Sequence, residues 1–200
     1  MNIDAFDISR FPKYLLELKK GAILNIELED YIDMFFNVNS NHNDYYDDIY
    51  YSIRKDLNTS IVKFWDSLIS FYDWSDILDS RLFSSQTVSL KSTIDNNPYL
   101  DEDNYMILKN KLRNATINYY TGDIKDISRK LNNEYDLINL SSIIYYVKNY
   151  KDILNSLSLS DNGIALTYLY SIEKEFINYY DNCIFDKFDN SNEGVMIYKK

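Results

Sequence analysis

Acids and hydroxyls stand at three places where the hydropathy pattern ends a strand. Asp7 follows the short run Asn2 to Phe6, and an acid at the carboxyl end of a strand in an open α/β sheet can accept hydrogen bonds from a ribose diol. The same position also suits an aspartate that caps the following helix. Gly122-Asp123 follows the run Ile117 to Tyr120; its carboxylate can receive an adenine amino group, or the pair can be a plain turn. Leu140-Ser141-Ser142 follows Asp136 to Leu140, and its hydroxyls can position a substrate. They are not hydrolase nucleophiles, because G-x-S-x-G is absent and His42 stands in Ser40-Asn41-His42-Asn43, which reads as an exposed surface loop. The pairs Tyr119-Tyr120, Tyr145-Tyr146 and Tyr179-Tyr180 can line a pocket, or simply lie half in and half out at strand and helix ends.

Metal chemistry has weaker support. Asp189 to Gly194 has the look of a calcium loop, but position twelve is Lys200 where a bidentate acid is required. Asp44, Asp47 and Asp48 beside an Asn-rich stretch can gather a hard cation, although such clusters are usually a solvated face. Cys183 and His42 are the only residues of their types, so no four-ligand zinc site can be built from them and no intramolecular disulfide can form. A formal net charge of -10 repels phosphates, which argues against nucleic acid as the principal partner. The start Met1-Asn2-Ile3-Asp4 lacks the basic region of a signal peptide. The run Leu137 to Val147 falls short of the ~18 residues that cross a bilayer. Together these features predict a cytoplasmic chain without a membrane span.

The elements that must carry these residues read as α/β. At 200 residues, with 46% hydrophobic content and no internal repeat or long linker, one domain over 1–200 is expected. After the opening strand, Phe11, Leu15, Leu18 and Ala22 recur at helical spacing with Pro12 at the helix start. The helical period persists from Leu28 to Tyr72, on Tyr31, Ile32, Phe35 and Phe36 and then on Ile61, Phe64, Trp65, Leu68 and Phe71 with the polar stretch Asn37 to Asp48 between them, and Trp74 to Thr93 is less regular. Trp65 and Phe64 read as core. Asp101, Glu102 and Asp103 open a further helix that closes on Lys109, Lys111 and Arg113, complementing its dipole. From 115 to 200 strands and helices alternate: strand Ala115 to Tyr120, helix Asp126 to Leu131, strand Asp136 to Leu140, helix Tyr146 to Leu157, strand Ile164 to Tyr170 after the turn Asp161-Asn162-Gly163, and helix Glu173 to Tyr180. This alternation predicts parallel strands joined by crossovers, closed by an antiparallel pair at Ile184-Phe185 and Val195 to Tyr198.

The ordered set Phe6-Asp7-Ile8-Ser9, Pro12 to Ala22, Asn97-Pro98-Tyr99-Leu100, Gly122-Asp123 and Tyr135 to Ser142 resembles the S-adenosylmethionine:diacylglycerol 3-amino-3-carboxypropyltransferase-like proteins, which have the class I methyltransferase fold. The resemblance implies a Rossmann-like sheet and S-adenosylmethionine as cofactor, and makes 28–93 a helical insertion that shapes the acceptor pocket. It places Asp7 on the ribose and Asp123 near the adenine, with Ile8, Ile124, Leu140 and Ser141 completing the cofactor set. Ser142, Tyr145 and Tyr146 would position a small-molecule or lipid acceptor for methyl or aminocarboxypropyl transfer.

The departure from that pattern is a missing first strand and glycine-rich turn. Gly21, Gly122, Gly163 and Gly194 form no G-x-G-x-x-G, so the expected sheet is incomplete at its N-terminus. Asn2 to Phe6 and Asp136 to Leu140 would then lack their shared neighbour, unless a protein partner or a second copy supplies it. A non-catalytic relative is therefore the alternative to an active transferase, and an unrelated α/β protein binding through its acidic face is a third reading.

Overall fold

A computed structural model describes residues 1–80, 95, 97–131, 133–180 and 182–199. It is a mixed α/β structure that divides into two compact units, Met1–Thr121 and Gly122–Lys200.

In the first unit, strand β1 (Asn2–Asp7) pairs in parallel with β2 (Thr116–Thr121), with Ile3 opposite Ile117 and Phe6 opposite Tyr120. Between them in the chain lie α1 (Phe11–Asn25), α2 (Leu28–Phe36), α3 (Asn43–Arg54), α4 (Thr59–Ile69), α5 (Trp74–Leu78) and α6 (Glu102–Arg113). The part of the expected insertion at 81–93 lies outside the described residues. Local chemistry starts these helices where side chains satisfy their first N–H groups: Asn58 accepts from Ser60 N–H at α4, and Asp101 from Asn104 N–H at α6. The core gathers the apolar stripes on Leu18, Met34, Tyr46, Tyr50, Ile53 and Tyr105 around a stacked Trp65–Trp74 pair with ring centres 5.6 Å apart. Each indole N–H is placed, on the Tyr14 carbonyl at 3.2 Å and on Asp47 at 2.9 Å. Lys109, only 6% exposed, donates to the Ile26 carbonyl just past the end of α1 at 3.1 Å.

In the second unit, α7 (Ile124–Lys130) precedes β3 (Tyr135–Asn139), and α8 (Tyr150–Ser156) crosses to the parallel strand β4 (Leu159–Leu169). After α9 (Lys174–Tyr179), β5 (Cys183–Lys187) and β6 (Gly194–Lys199) form an antiparallel pair, and β6 inserts beside β4 to give the order β3-β4-β6-β5. Strand β4 alternates: Ala165, Thr167 and Leu169 are fully buried, and the residues between them turn to the other face. Tyr150 of α8 reaches the buried side and bonds Thr167.

The strands thus form a pair and a four-stranded sheet rather than one continuous sheet. Among the described residues, β1 pairs only with β2 and β3 only with β4, so each keeps an open edge.

Two boundaries differ from the sequence reading for identifiable reasons. The expected helix at Tyr146 begins instead at Tyr150, because Asn149 takes a left-handed conformation (φ 57°) after a 3₁₀ turn at Ile143–Tyr145. Asp161-Asn162-Gly163, expected as a turn, lies inside β4, whose ladder to β3 shifts register between Tyr135 and Leu137. A Cβ at Gly163 would sit 2.4 Å from the Tyr135 carbonyl oxygen, so this irregular stretch needs glycine for close backbone approach rather than for a reversal.

Candidate functional site

Asp7 closes β1, and its carboxylate accepts the Ser9 N–H at 2.7 Å, forming a tight Asx turn into α1. Ser9 in turn accepts the Phe11 N–H at the head of that helix. Ile8 is 80% exposed. These residues belong to the first unit; the other expected site residues belong to the second.

Asp123 caps α7 by accepting the Lys125 N–H at 2.9 Å, immediately after Gly122 at φ 151°, a conformation that favours glycine. Ile124 is buried beside Ile127, so its side chain serves the core. Leu140 is likewise buried, and its N–H donates to the Leu166 carbonyl.

The turn that leaves β3 is the most constructed feature of the second unit. Ser141 is exposed and holds a left-handed backbone (φ 49°), uncommon for a residue with a Cβ. Two hydrogen bonds fix it there: its N–H donates to the Asn139 side chain at 2.9 Å, and its carbonyl accepts the Tyr168 N–H at 2.8 Å. Ser142 accepts from the Tyr170 hydroxyl at 3.2 Å. The Tyr145 hydroxyl accepts the Tyr170 N–H at 2.8 Å, and the two rings stack with centres 4.8 Å apart. Leu140, Ser141, Ser142 and Tyr145 therefore come together at the carboxyl ends of a parallel strand pair, and Tyr146 follows them at 77% exposure.

Sequence reasoning missed Tyr168, Tyr170, Phe188 and Glu193. Tyr168 packs edge-on to Tyr170 and stacks on Phe188, and its hydroxyl donates to the Glu193 carboxylate. That bond is the main reason the Tyr168 phenol is pushed up to about 12, so it stays a neutral donor at neutral pH. The signal was the i, i+2 spacing of Tyr168 and Tyr170, which puts both rings on one face of an extended chain.

The remaining candidates have local structural roles. His42 is in a 3₁₀ turn, half-buried, with Nδ1 2.8 Å from Asp33, rather than free in a surface loop. Asp47 accepts from the Trp74 indole. Among the described residues no three His, Cys, Asp or Glu side chains are grouped to hold a metal ion, and no helix is long and apolar enough to cross a membrane.

No family model matches the sequence, and no curated protein matches it. Among solved structures the chain is similar to one described as "DhpI-SAM-HEP complex", at 8% identity and a TM-score of 0.26, over 48% of this chain and 48% of that one. The chain thus spans about half of that protein's length.

Proposed function

We propose that the chain is an S-adenosylmethionine-dependent transferase, cytoplasmic, moving a methyl or 3-amino-3-carboxypropyl group to a small-molecule or lipid acceptor. The observation that carries the reading is the Asn139–Tyr145 turn. It presents a left-handed Ser141, the Ser142 hydroxyl and the Tyr145 ring at the carboxyl ends of parallel β3 and β4, where open α/β sheets bind their ligands. The ordered motifs around Asp7, Asp123 and Ser141 support the same reading, through the family resemblance they carry. A sulfonium is its own leaving group, so the residues are asked to orient an acceptor in line rather than to move a proton. Ser142 and Tyr145 are positioning residues on this reading. Calorimetry of the whole chain with S-adenosylmethionine and S-adenosylhomocysteine is the test, and no heat of binding to folded protein overturns the proposal.

A second reading has its own observation. Leu137 in β3 is 55% exposed on a strand whose other edge is unpaired among the described residues, which favours a non-catalytic module whose sheet is completed by a partner or a second copy. Light scattering on the purified chain, with and without the cofactor, separates the two: a ligand-free dimer that binds neither compound belongs to this second reading.

A further inference from the structure

Strand β4 buries Thr167 and Leu169 on one face, and the residues next to them build a row of rings on the other. Tyr145 stacks on Tyr170 (4.8 Å, 28°), Tyr168 meets Tyr170 edge-on (5.3 Å, 83°), and Phe188 stacks on Tyr168 (6.1 Å, 29°). Tyr145, Tyr170 and Phe188 are 45%, 51% and 45% exposed, although rings of this size usually lie mostly buried.

The phenol ends are tethered. Tyr168 donates to Glu193, Tyr170 donates to Ser142, and Tyr145 accepts the Tyr170 N–H. The rings are therefore held in place before any ligand arrives, which lowers the ordering cost of binding.

Two carboxylates stand beside the row. Register places Asp186 and Val195 level with Tyr168 on the same face, and Glu193 bonds the end of that tyrosine. Neither carboxylate is in an ion pair among the described residues. Lys187, next to Asp186, alternates to the opposite face, and Lys199 pairs with Ile164, four residues along β4 from Tyr168.

Ring faces carry negative potential and attract a cation whose methyl groups also bury against them. We propose that Tyr145, Tyr170, Tyr168 and Phe188, with Asp186 and Glu193, form a binding site for a methylated ammonium ion. The inference goes beyond the transferase reading and does not need the sulfonium cofactor, so either can fail alone.

The test uses the whole chain without cofactor. Choline is titrated and followed by ¹H–¹⁵N NMR, beside 3,3-dimethylbutan-1-ol, which has the same shape without the charge. Choline is expected to bind in the millimolar range, shifting amides of β4 and of the segment 188–193, with the alcohol much weaker. Tyr170→Leu should weaken choline about 2- to 5-fold, the effect of one exposed cation–ring contact, while Tyr170→Phe, which keeps the ring and loses only its tether to Ser142, should weaken it less. Circular dichroism of both variants controls for folding. Phosphatidylcholine vesicles decide the source of the cation: co-sedimentation that Tyr170→Leu abolishes assigns a lipid headgroup, and a chain left in the supernatant that still binds choline assigns a soluble ion. Equal binding of the alcohol, unchanged affinity in Tyr170→Leu, or no choline binding by folded protein overturns the proposal.

Discussion

Removing the Thr167 hydroxyl should destabilise the second unit and leave the first untouched. Thr167 is fully buried in β4, and its Oγ is 2.5 Å from the hydroxyl of Tyr150, itself 3% exposed on α8. Thr167→Val keeps the shape but strands the Tyr150 hydroxyl away from water, at a cost of about 1–3 kcal/mol for an unmet buried polar group. Tyr150→Phe strands the threonine instead and should cost a similar amount. With both changed, neither polar group remains, so the double variant should lose less than the sum of the two. Tryptophan fluorescence will not report this, since both tryptophans, Trp65 and Trp74, lie in the first unit. Hydrogen exchange of the β4 amides will, as a lower opening free energy from 159 to 169 with the α3 and α4 amides unchanged. Additive losses across the cycle, or Thr167→Val within about 0.3 kcal/mol of the parent, would refute the reasoning, because a shared buried bond must couple its two ends.

Gly194→Ala should loosen the β5–β6 pair, since the added Cβ would lie 2.2 Å from the Asp186 carbonyl oxygen and 2.6 Å from Ile172 Cδ1; an overpacked site of this kind costs about 1–3 kcal/mol, read as lost exchange protection at 183–187. Two hydrogen bonds from Arg54 hold the Asp66 carboxyl below its usual range, so the pair's small contribution is present above the unfolded carboxylate value and lost as pH falls through the lower folded value. The difference in urea midpoint between the parent and Asp66→Asn should therefore shrink as the pH is lowered from neutral into the acid range, and a difference that grows there contradicts the sign.

Element order was legible where a strand or helix carried a local period, but α3 was not, because its first turns fall in the polar Asn- and Asp-rich stretch that reads as a separator. The opening strand, the crossover Asp136 to Ile164 and the closing antiparallel pair all appear within a few residues of the pattern that marks them. What the pattern missed is set by contacts distant in sequence. The Asp161-Asn162-Gly163 triplet has turn composition, yet its glycine answers to the Tyr135 carbonyl, a neighbour that only strand pairing brings near. The row from Tyr145 to Phe188 likewise draws on a 3₁₀ turn, the end of a strand and a hairpin loop, so no window of sequence contains it. The unpaired side of β3 was legible, because the missing first strand and glycine-rich turn leave Asp136 to Leu140 without a neighbour, and β3 stands at the end of its sheet among the described residues.

The aspartates need an experiment that separates two roles a single oxygen cannot distinguish. Asp7 spends one carboxylate oxygen on the Ser9 N–H in an Asx turn ahead of α1, and Asp123 spends one on the Lys125 N–H as the N-cap of α7. A carboxylate has two oxygens and about four acceptor sites, so capping leaves capacity for a diol or an amino group. Alanine removes both functions at once and therefore decides nothing. An asparagine side chain keeps an oxygen for the Ser9 N–H while losing the charge and the second acceptor, so Asp7→Asn should retain the parent's thermal midpoint to within about a degree. On the transferase reading it should still weaken S-adenosylmethionine about 10-fold or more, the loss expected for hydrogen bonds to a charged acceptor. Calorimetry beside a thermal melt reads both quantities on one preparation. Unchanged affinity with an unchanged midpoint makes Asp7 a turn residue alone and moves the cofactor pocket away from β1.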